Sequence, residues 1–341
     1  MTKSQLKQRW QTAEGQRLLL AVRKSFKRKK NIADLPGISF VDGRIDLRGA
    51  PLSEVVKSQV VGTKEHSFEI NYGSLDVKRA SLVGIDFSYA NISYAYFQGC
   101  KFDNCFFDST VAKGIRIYNC DFSSCDFNAC NLSYAFLNSN IADNAGSYIN
   151  CNFKNCNLKE TFFSFPLIEH CIFDNCKFYA TDFDGSRMRN VKFIGKVESP
   201  IFRGFSTNAQ TSILWLFNRI DPRDYRNRME NVDFTEAELD DLLFLDEIDI
   251  SSCRFPATGE FILVKDIHAV FPNMRAHIES EWEGEDRRQG LFLIDNLFYS
   301  EMKQGMKMDL ISTVRNKYLT EAFQTRFFTF LKEVVSSAES F

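Results

Sequence analysis

The 341-residue sequence lacks any apolar run that approaches the roughly 20 residues needed to cross a bilayer as a helix. Its first ten residues, MTKSQLKQRW, also lack the charged-then-apolar order of a secretory signal. We therefore expect a soluble, cytoplasmic protein with no membrane span. In that compartment the ten cysteines are expected to be reduced thiols rather than a disulfide framework.

Motifs for catalysis and metal binding are absent as well. The sequence contains no GxGxxG, no phosphate-binding loop, no HExxH and no GxSxG. The four histidines, His66, His170, His268 and His277, show no spacing typical of metal ligands. These absences predict a protein that is not an enzyme, with no catalytic residues, no cofactor and no metal site.

Charge is distributed unevenly along the chain, although the net charge is only −2. Residues 1–37 carry ten Lys or Arg against two acids, whereas residues 230–249 hold nine acids and no base. We expect this asymmetry to influence which partners bind rather than which fold forms. The basic run RKSFKRKK at 23–30 is compatible with contact to nucleic acid or an anionic membrane. We favour a solvated helix face, so direct nucleic-acid binding is not expected.

Large apolar residues recur every five positions through the middle of the chain. The first series is Leu82, Phe87, Ile92, Phe97, Phe102, Phe107, Ile117, Phe122, Phe127, Leu132 and Leu137, with the small Ala112 in its gap. After a break the series resumes one residue out of phase as Phe153, Leu158, Phe163, Ile168, Phe173, Phe178, Phe183, Met188 and Phe193. A mostly small residue stands two positions before each member, and nine of the ten cysteines occupy such positions. The tenth, Cys253, stands two positions before Phe255 in a weaker copy of the repeat. A period of five fits neither an amphipathic helix nor an alternating strand.

A coil that turns a corner every five residues satisfies this period. The large residue and its small companion point inward from each side, and the other three residues face solvent. Four sides make a coil of twenty residues, and coils stack through backbone hydrogen bonds at about 4.8 Å. The pattern resembles the pentapeptide-repeat family, whose fold is a right-handed quadrilateral β-helix. The resemblance covers about 80–195, with weaker copies between about 40 and 255.

Steps of twenty residues predict which inward side chains stack, if one extra residue is placed within 138–152. The predicted stacks are Phe102 on Phe122, Phe153 on Phe173 on Phe193, Cys100 over Cys120, Cys105 over Cys125, Cys130 over Cys151 over Cys171, and Cys156 over Cys176. The predicted structural core comprises Phe102, Phe122, Phe127, Phe153, Phe173, Phe193, Cys120, Cys125 and Cys130. Because cysteines five apart lie on different walls, we interpret them as small apolar fillers rather than metal ligands or disulfides. Pro166 at an inward position is expected to distort one side.

Composition divides the chain into five predicted segments. They are a basic helix and cap at 1–37, the β-helix at 38–203, a helical insertion at 204–229, acidic repeat-like coils at 230–258 and a C-terminal α-helical domain at 259–341. Helices are expected near 4–30, 206–220, 265–281, 285–304 and 314–336. Such terminal elements are needed because a β-helix exposes open hydrogen-bonding edges at its ends.

A regular solenoid with terminal domains favours a non-enzymatic scaffold that binds a protein partner. We predict that it inhibits or neutralises this partner as a bacterial immunity protein, effector or adaptor, and we leave a dimer open. The partner would be a toxin, a topoisomerase or another host or bacterial protein. The candidate partner-binding residues are Glu236, Glu238, Asp240, Asp241, Asp246, Glu247 and Trp282.

Two alternatives come from other functional classes. The resemblance includes DNA mimics that bind type II topoisomerases and protect gyrase, but residues 82–195 carry eleven acids and nine bases, which is too balanced for phosphate imitation. The other alternative is an enzyme whose active site lies in the C-terminal helical domain.

Overall fold

The structure is a computed structural model that describes residues 1–62, 67–138, 145–205, 226–300, 303, 305–314 and 317–338. Its centre is a four-sided coil whose short parallel strands stack from one turn to the next, which confirms the predicted β-helix. Most of the predicted helical insertion at 204–229, including the expected helix at 206–220, lies outside the described residues.

Three faces of the coil are stacks of parallel strands, and isolated β-bridges hold the fourth. The first face contains Asp76–Lys78, Tyr96–Gln98, Arg116–Tyr118, Phe136–Leu137, Phe162–Ser164, Asp182–Asp184, Ile201–Arg203 and Leu243–Leu245. The second contains Ser81–Val83, Lys101–Asp103, Asp121–Ser123, Ser147–Ile149, Leu167–Glu169 and Arg187–Arg189. The third contains Arg44–Asp46, Ile85–Asp86, a bridge at Phe106, Asp126–Asn128, Asn152–Lys154, Ile172–Asp174, Lys192–Glu198 and Asp233–Asp240. The fourth is bridged through Pro51, Asn91, Val111, Asn131, Asn157 and Lys177.

Each corner of the coil is turned by one residue in the left-handed backbone region. Asn119, Ser124 and Ala129 have φ values of 50°, 51° and 52°, and each immediately precedes a small inward cysteine. Asn and Gly tolerate this conformation best, and both recur at the same position along the coil. The five-residue period therefore includes a turn residue as well as the two inward side chains.

The interior is a stack of aromatic rings. Every residue of the predicted structural core is at most 4% exposed. The ring centroids of Phe102 and Phe122 lie 4.4 Å apart with an interplanar angle of 3°, and Phe173 stacks on Phe153 at 4.8 Å and on Phe193 at 5.1 Å. These offset contacts add to the apolar burial that stabilises the coil.

The predicted stacking of Cys130 over Cys151 is wrong. Asp126 pairs with Asn152, and Asn131 is bridged to Asn157, so Cys151 lies beside Cys125 and Cys156 lies beside Cys130. The coil that contains the break is therefore six residues longer than twenty rather than one residue longer. An insertion of one or of six shifts a period of five by the same single position, so the phase alone could not distinguish them.

Pro166 leaves the second face undistorted, contrary to expectation. Leu167–Glu169 pairs in regular register with the strands on both sides. The small inward position before a strand does not use its N–H in the backbone pairing between coils. The Cys120 N–H, for example, donates to the side chain of Asn138 at 2.9 Å instead of to a backbone carbonyl. A proline, which has no N–H, is therefore tolerated there.

The N-terminal segment contains two helices rather than the single helix expected at 4–30. Helix α1 spans Lys3–Gln8 and α2 spans Ala13–Lys27, with 3-10 turns at Arg9–Gln11 and Ile32–Asp34. Thr12 between them is extended, and its side chain caps α2 by accepting a hydrogen bond from the Gly15 N–H at 3.0 Å. A β-carbon at Gly15 would lie 2.1 Å from the Arg9 carbonyl oxygen, so this sharp bend requires glycine.

An antiparallel hairpin interrupts the start of the coil, within the segment assigned to repeats. Its strands are Val55–Gly62 and Ser67–Gly73, and a shorter pair, Phe40–Val41 with Arg44–Asp46, precedes it. The gap in the five-residue series between Leu52 and Leu75 marks the position of the longer hairpin in the sequence.

The C-terminal domain combines helices with a small antiparallel sheet. Helix α3 spans Ile267–Glu281, α4 spans Gly284–Leu293 and continues as a π-helical turn over Ile294–Phe298, and α5 spans Glu321–Ala338. Phe261–Val264 pairs antiparallel with Asp309–Ser312. The strand Asp309–Ser312 was not expected from the sequence. The predicted helices at 285–304 and 314–336 are thus too long. Buried side chains of this domain are continuous with the core of the coil.

At Ala112 and Ile115, the usual order of a small and a large inward side chain is reversed. The large site holds Ala112, 1% exposed, and the small site holds Ile115, 3% exposed, and both border the same apolar interior space of about 20 Å³.

We expect Ile115→Ala to lower the free energy of unfolding by about 2–3 kcal/mol because it enlarges this space. Cys105→Ala, at an ordinary small site, should cost about 1 kcal/mol. Urea unfolding would measure both, and equal losses would contradict the size exchange.

Candidate functional site

The candidate residues at the end of the coil divide into exposed and buried groups. Glu236 and Glu238 are exposed on the strand Asp233–Asp240, and Glu236 pairs with Lys192 at 2.5 Å. This strand lies near the end of the third face, where it pairs with Lys192–Glu198 and is bridged at Asp233 to Arg254. The acidic stretch is thus built into the coil, and its outward side chains face solvent.

Asp246 and Glu247 form ion pairs with arginines of the same protein. Asp246 is 8% exposed and accepts a hydrogen bond from Arg203 at 2.8 Å, while Arg203 also pairs with Asp182 at 3.1 Å. Burial raises the pKa of Asp182 to about 6, although Arg203 opposes this shift. Glu247 pairs with Arg226 at 2.5 Å. We interpret Asp246 and Glu247 as structural residues.

Trp282 is a core residue of the C-terminal domain. It is 3% exposed and packs against the rings of Phe323, Phe327 and Phe330, with the Arg326 guanidinium 4.0 Å from its ring. The indole therefore stabilises the packing of α3 against α5 and presents almost no surface to a partner.

Asp240 and Asp241 lie at the rim of a groove between the coil and the C-terminal domain. The groove has a volume of about 480 Å³. We call it the acidic groove and define it by Glu198, Asp240, Asp241, Leu243, Leu297 and Val314. Three of the apolar residues that line it are unusually exposed, at 40% for Leu243, 47% for Leu297 and 37% for Val314. Exposed apolar side chains that converge in this way mark interaction surfaces.

The electrostatics of the acidic groove are dominated by carboxylates. At the rim, Lys196 is shared between Glu198 at 3.1 Å and Asp240 at 3.2 Å. Partial burial and the neighbouring Asp240 raise the pKa of Asp241. Lys303, which also lines the groove, forms a buried ion pair with Asp309, and burial raises the pKa of Asp309 against the opposing effect of Lys303. Three carboxylates thus line the groove, Lys196 pairs with two of them, and Lys303 is paired with Asp309. The remaining negative charge favours a cationic ligand.

Sequence reasoning missed the apolar half of this groove. Leu243, Leu297 and Val314 are separated by up to 71 positions, and only the docking of the C-terminal domain brings them together. Their sequence surroundings resemble ordinary core segments, so no periodic signal distinguished them. The nine acids at 230–249 were the one available signal, and of these the groove uses only Asp240 and Asp241.

The cysteines are packed inside the coil as unpaired thiols. All ten are free thiols, and only Cys253 is not fully buried. Their Sγ atoms donate to backbone carbonyls, as from Cys125 to Ser123 at 3.3 Å. Burial raises the pKa of the Cys130 and Cys156 thiols, and that of Cys253 to about 12, which suppresses the thiolate form of these three residues. In the stacked pairs, a hydrogen bond with the neighbouring thiol instead lowers the pKa of Cys100, Cys125 and Cys171. No cluster of three or more His, Cys, Asp or Glu side chains among the described residues is arranged to hold a metal ion.

Comparison with known proteins supports the repeat assignment. A family model described as pentapeptide repeats (8 copies) matches residues 76–109. No curated protein matches the chain in a sequence search. No helix in the described ranges is long and apolar enough to cross a membrane.

Several solved structures share the repeat architecture at low similarity. A trypsin-treated form of QnrB1, a plasmid-mediated fluoroquinolone resistance protein, is 11% identical with a TM-score of 0.26, covering 50% of this chain and 83% of its own. HetL from Nostoc, a pentapeptide repeat protein involved in heterocyst differentiation regulation, is 12% identical with a TM-score of 0.28, covering 53% and 90%. A pentapeptide repeat protein from the Arabidopsis thaliana thylakoid lumen is 19% identical with a TM-score of 0.14, covering 33% and 66%. At these values no function is carried over.

Proposed function

We propose that this chain, whose coil contains pentapeptide repeats, is a non-enzymatic scaffold that binds a protein partner through the acidic groove. The observation that carries this proposal is that exposed Leu243, Leu297 and Val314 line the same groove as the carboxylates of Asp240 and Asp241. An apolar floor with a polar rim is the usual anatomy of a protein interface.

The chemistry of the groove selects a basic, amphipathic segment. An apolar helix face would cover the leucines and the valine, and Lys or Arg beside that face would pair with the rim carboxylates. Because Lys196 already neutralises part of the charge of Glu198 and Asp240, Asp241 offers the most available carboxylate. Capture of such a segment would inhibit or neutralise the partner, in an immunity-like role.

Both alternative functions have less support. Acidic side chains on the coil are often balanced by neighbouring bases, such as Asp174 by Lys154 at 3.2 Å and Glu230 by Arg189 at 3.0 Å, which is unfavourable for DNA mimicry. For an enzyme, the buried charged group that lines the acidic groove is Lys303, which is already paired with Asp309. This arrangement favours binding over chemistry.

Binding can be tested with the full chain and the labelled peptide acetyl-KLLKKLLKKLLKK-amide, followed by fluorescence anisotropy. We expect Asp240→Asn/Asp241→Asn to weaken the affinity about tenfold through loss of rim charge. Leu297→Asp should weaken it by at least about tenfold because a charge replaces an exposed apolar contact. Asn is chosen at 241 because the backbone there has a φ of 53°, which Asn tolerates.

The matched control is Glu236→Gln/Glu238→Gln, which removes the same charge from the same strand outside the groove. It should change the affinity by less than about threefold. Equal losses of affinity in the two double variants would show only a general charge effect and would refute the acidic groove as the binding site. Tight binding of acetyl-ELLEELLEELLEE-amide would refute it as well.

A further inference from the structure

The starting end of the coil is covered on three of its four faces. On the third face, Phe40–Val41 pairs antiparallel with Arg44–Asp46. On the fourth, the Arg23 guanidinium donates to the carbonyl oxygens of Pro51 at 2.7 Å and Leu52 at 3.0 Å. On the first, helix α2 packs against Asp76–Lys78. These elements satisfy or shield edges that would otherwise be open.

The second face starts with an open edge within the described chain. Its terminal strand, Ser81–Val83, pairs on one side only, with Lys101–Asp103. One coil later, the equivalent strand is bonded to the coil before it. The Lys101 N–H donates to the Ala80 carbonyl oxygen, and the Asp103 carbonyl oxygen accepts from the Gly84 N–H.

The corresponding groups of the terminal strand are the Ser81 N–H and the Val83 carbonyl. No coil precedes them on this face in the described ranges, and both residues are exposed, Val83 to 54%. A row of unpaired backbone groups on an exposed strand is a template for a further strand.

A groove of about 360 Å³ runs beside this edge and the C-terminal end of α2. Its apolar floor consists of buried side chains: Phe26, Ile32, Ile45, Leu82 and Ile85. Lys29 and Lys30 line it and are exposed. The volume lies within the range of about 300–1,000 Å³ that is typical of ligand pockets.

We propose that this surface, the basic edge groove (Lys29, Lys30 and Ser81–Val83), accepts an extended acidic segment of a partner protein as an added strand. The backbone of the segment would pair with the Ser81 N–H and the Val83 carbonyl, as in strand addition to other open sheets. Its alternate side chains would face the apolar floor, and its carboxylates would pair with the two lysines. The surface is opposite in charge to the acidic groove and lies at the other end of the coil, so the proposal stands independently of that site.

The probe is fluorescein-labelled Val-Glu-Val-Glu-Val with a C-terminal amide, titrated with the full chain. We expect it to bind at least about tenfold more tightly than Val-Lys-Val-Lys-Val, and at least about tenfold more tightly than a form N-methylated at the central valine, which lacks one strand N–H. Lys29→Glu/Lys30→Glu should weaken binding by a similar factor, since it reverses the charge of the groove.

Lys27→Glu/Arg28→Glu is the matched control, because these residues are exposed on the same helix end but do not line the groove. It should alter the affinity by less than about threefold. The proposal is overturned by equal losses in the two double variants, by undiminished binding of the N-methylated peptide, or by the absence of saturable binding. Self-association that Lys29→Glu/Lys30→Glu abolishes would also overturn it, because the edge would then bind a second copy of this chain.

Discussion

Replacement of Phe122 by alanine is expected to lower the free energy of unfolding by about 3–5 kcal/mol, which would be among the largest effects of any single substitution in the coil. Phe122 is 2% exposed, and its ring is stacked between Phe102 at 4.4 Å and Tyr148 at 4.8 Å. The substitution removes both ring contacts and leaves a cavity between neighbouring coils, which cannot close because each is fixed by backbone pairing on both sides. Urea unfolding followed by circular dichroism measures the loss.

Cys125→Ala is the control for Phe122→Ala, because Cys125 occupies the small inward position beside the same stack. It should cost only about 1 kcal/mol, since the thiol serves as a small filler with a weak hydrogen bond. A loss as large as that of Phe122→Ala, or a Cys125→Ala variant that no longer folds, would contradict the interpretation of the cysteines as fillers.

Asp46→Asn is expected to be the most damaging substitution at the start of the coil, at about 3–5 kcal/mol at pH 7. The Asp46 carboxylate is 6% exposed and accepts two hydrogen bonds from Arg9 at 2.7 Å and others from Arg48 at 3.0 and 3.1 Å. Neutralisation leaves both guanidinium groups without their main partner and loosens the N-terminal helices from the coil. Urea unfolding of the wild type and of Asp46→Asn at pH 7 measures the difference in their free energies of unfolding.

The effect of Asp46→Asn should depend on pH in a defined direction. Burial disfavours the ionised carboxyl, but the hydrogen bonds from Arg9 and Arg48 outweigh it and hold the pKa of Asp46 well below its usual range. A depressed native pKa gives stabilisation that is complete above the unfolded value of about 4 and is lost as the pH falls towards the native value. The difference between wild type and Asp46→Asn should therefore be constant from about pH 5 to 8 and shrink below about pH 4.

Asp76→Asn is the matched control for the ion pair. Asp76 also faces a base, Lys78 at 3.9 Å, but its side chain is 53% exposed. Its substitution should change the free energy of unfolding by less than about 1 kcal/mol. If Asp46→Asn proved equally mild, or if its effect persisted unchanged at pH 3, the Arg9–Asp46 contact would not hold the N-terminal helices in place.

The five-residue period predicted the coil and its inward residues because each repeat carries its own turn and its own inward pair. It could not predict the length of the insertion, since one and six extra residues give the same phase. For that reason Tyr148, which stacks on Phe122 with an interplanar angle of 9°, was missed as an inward residue. Its position five residues before Phe153 was the signal that could have identified it.

The candidate site was less predictable than the fold because charge along the sequence does not report exposure. Asp246 belongs to the same acidic stretch as Asp241, yet it is buried against Arg203 while Asp241 is exposed at the groove rim. Trp282 is a large aromatic of the kind that often binds partners, but tertiary packing places it in the core. The apolar contribution of Leu297 depends on how the C-terminal domain docks, which no local pattern encodes.

The most direct test of the central claim, that this protein binds through the acidic groove, is hydrogen–deuterium exchange of the full chain with and without acetyl-KLLKKLLKKLLKK-amide. We predict slower exchange on binding at Asp233–Asp240 and at Ile294–Phe298, which border the groove, with unchanged exchange at Lys101–Asp103 and Asp121–Ser123 in the coil. Protection confined to Lys101–Asp103 and Asp121–Ser123, or no protection at either groove segment under saturating peptide, would contradict it.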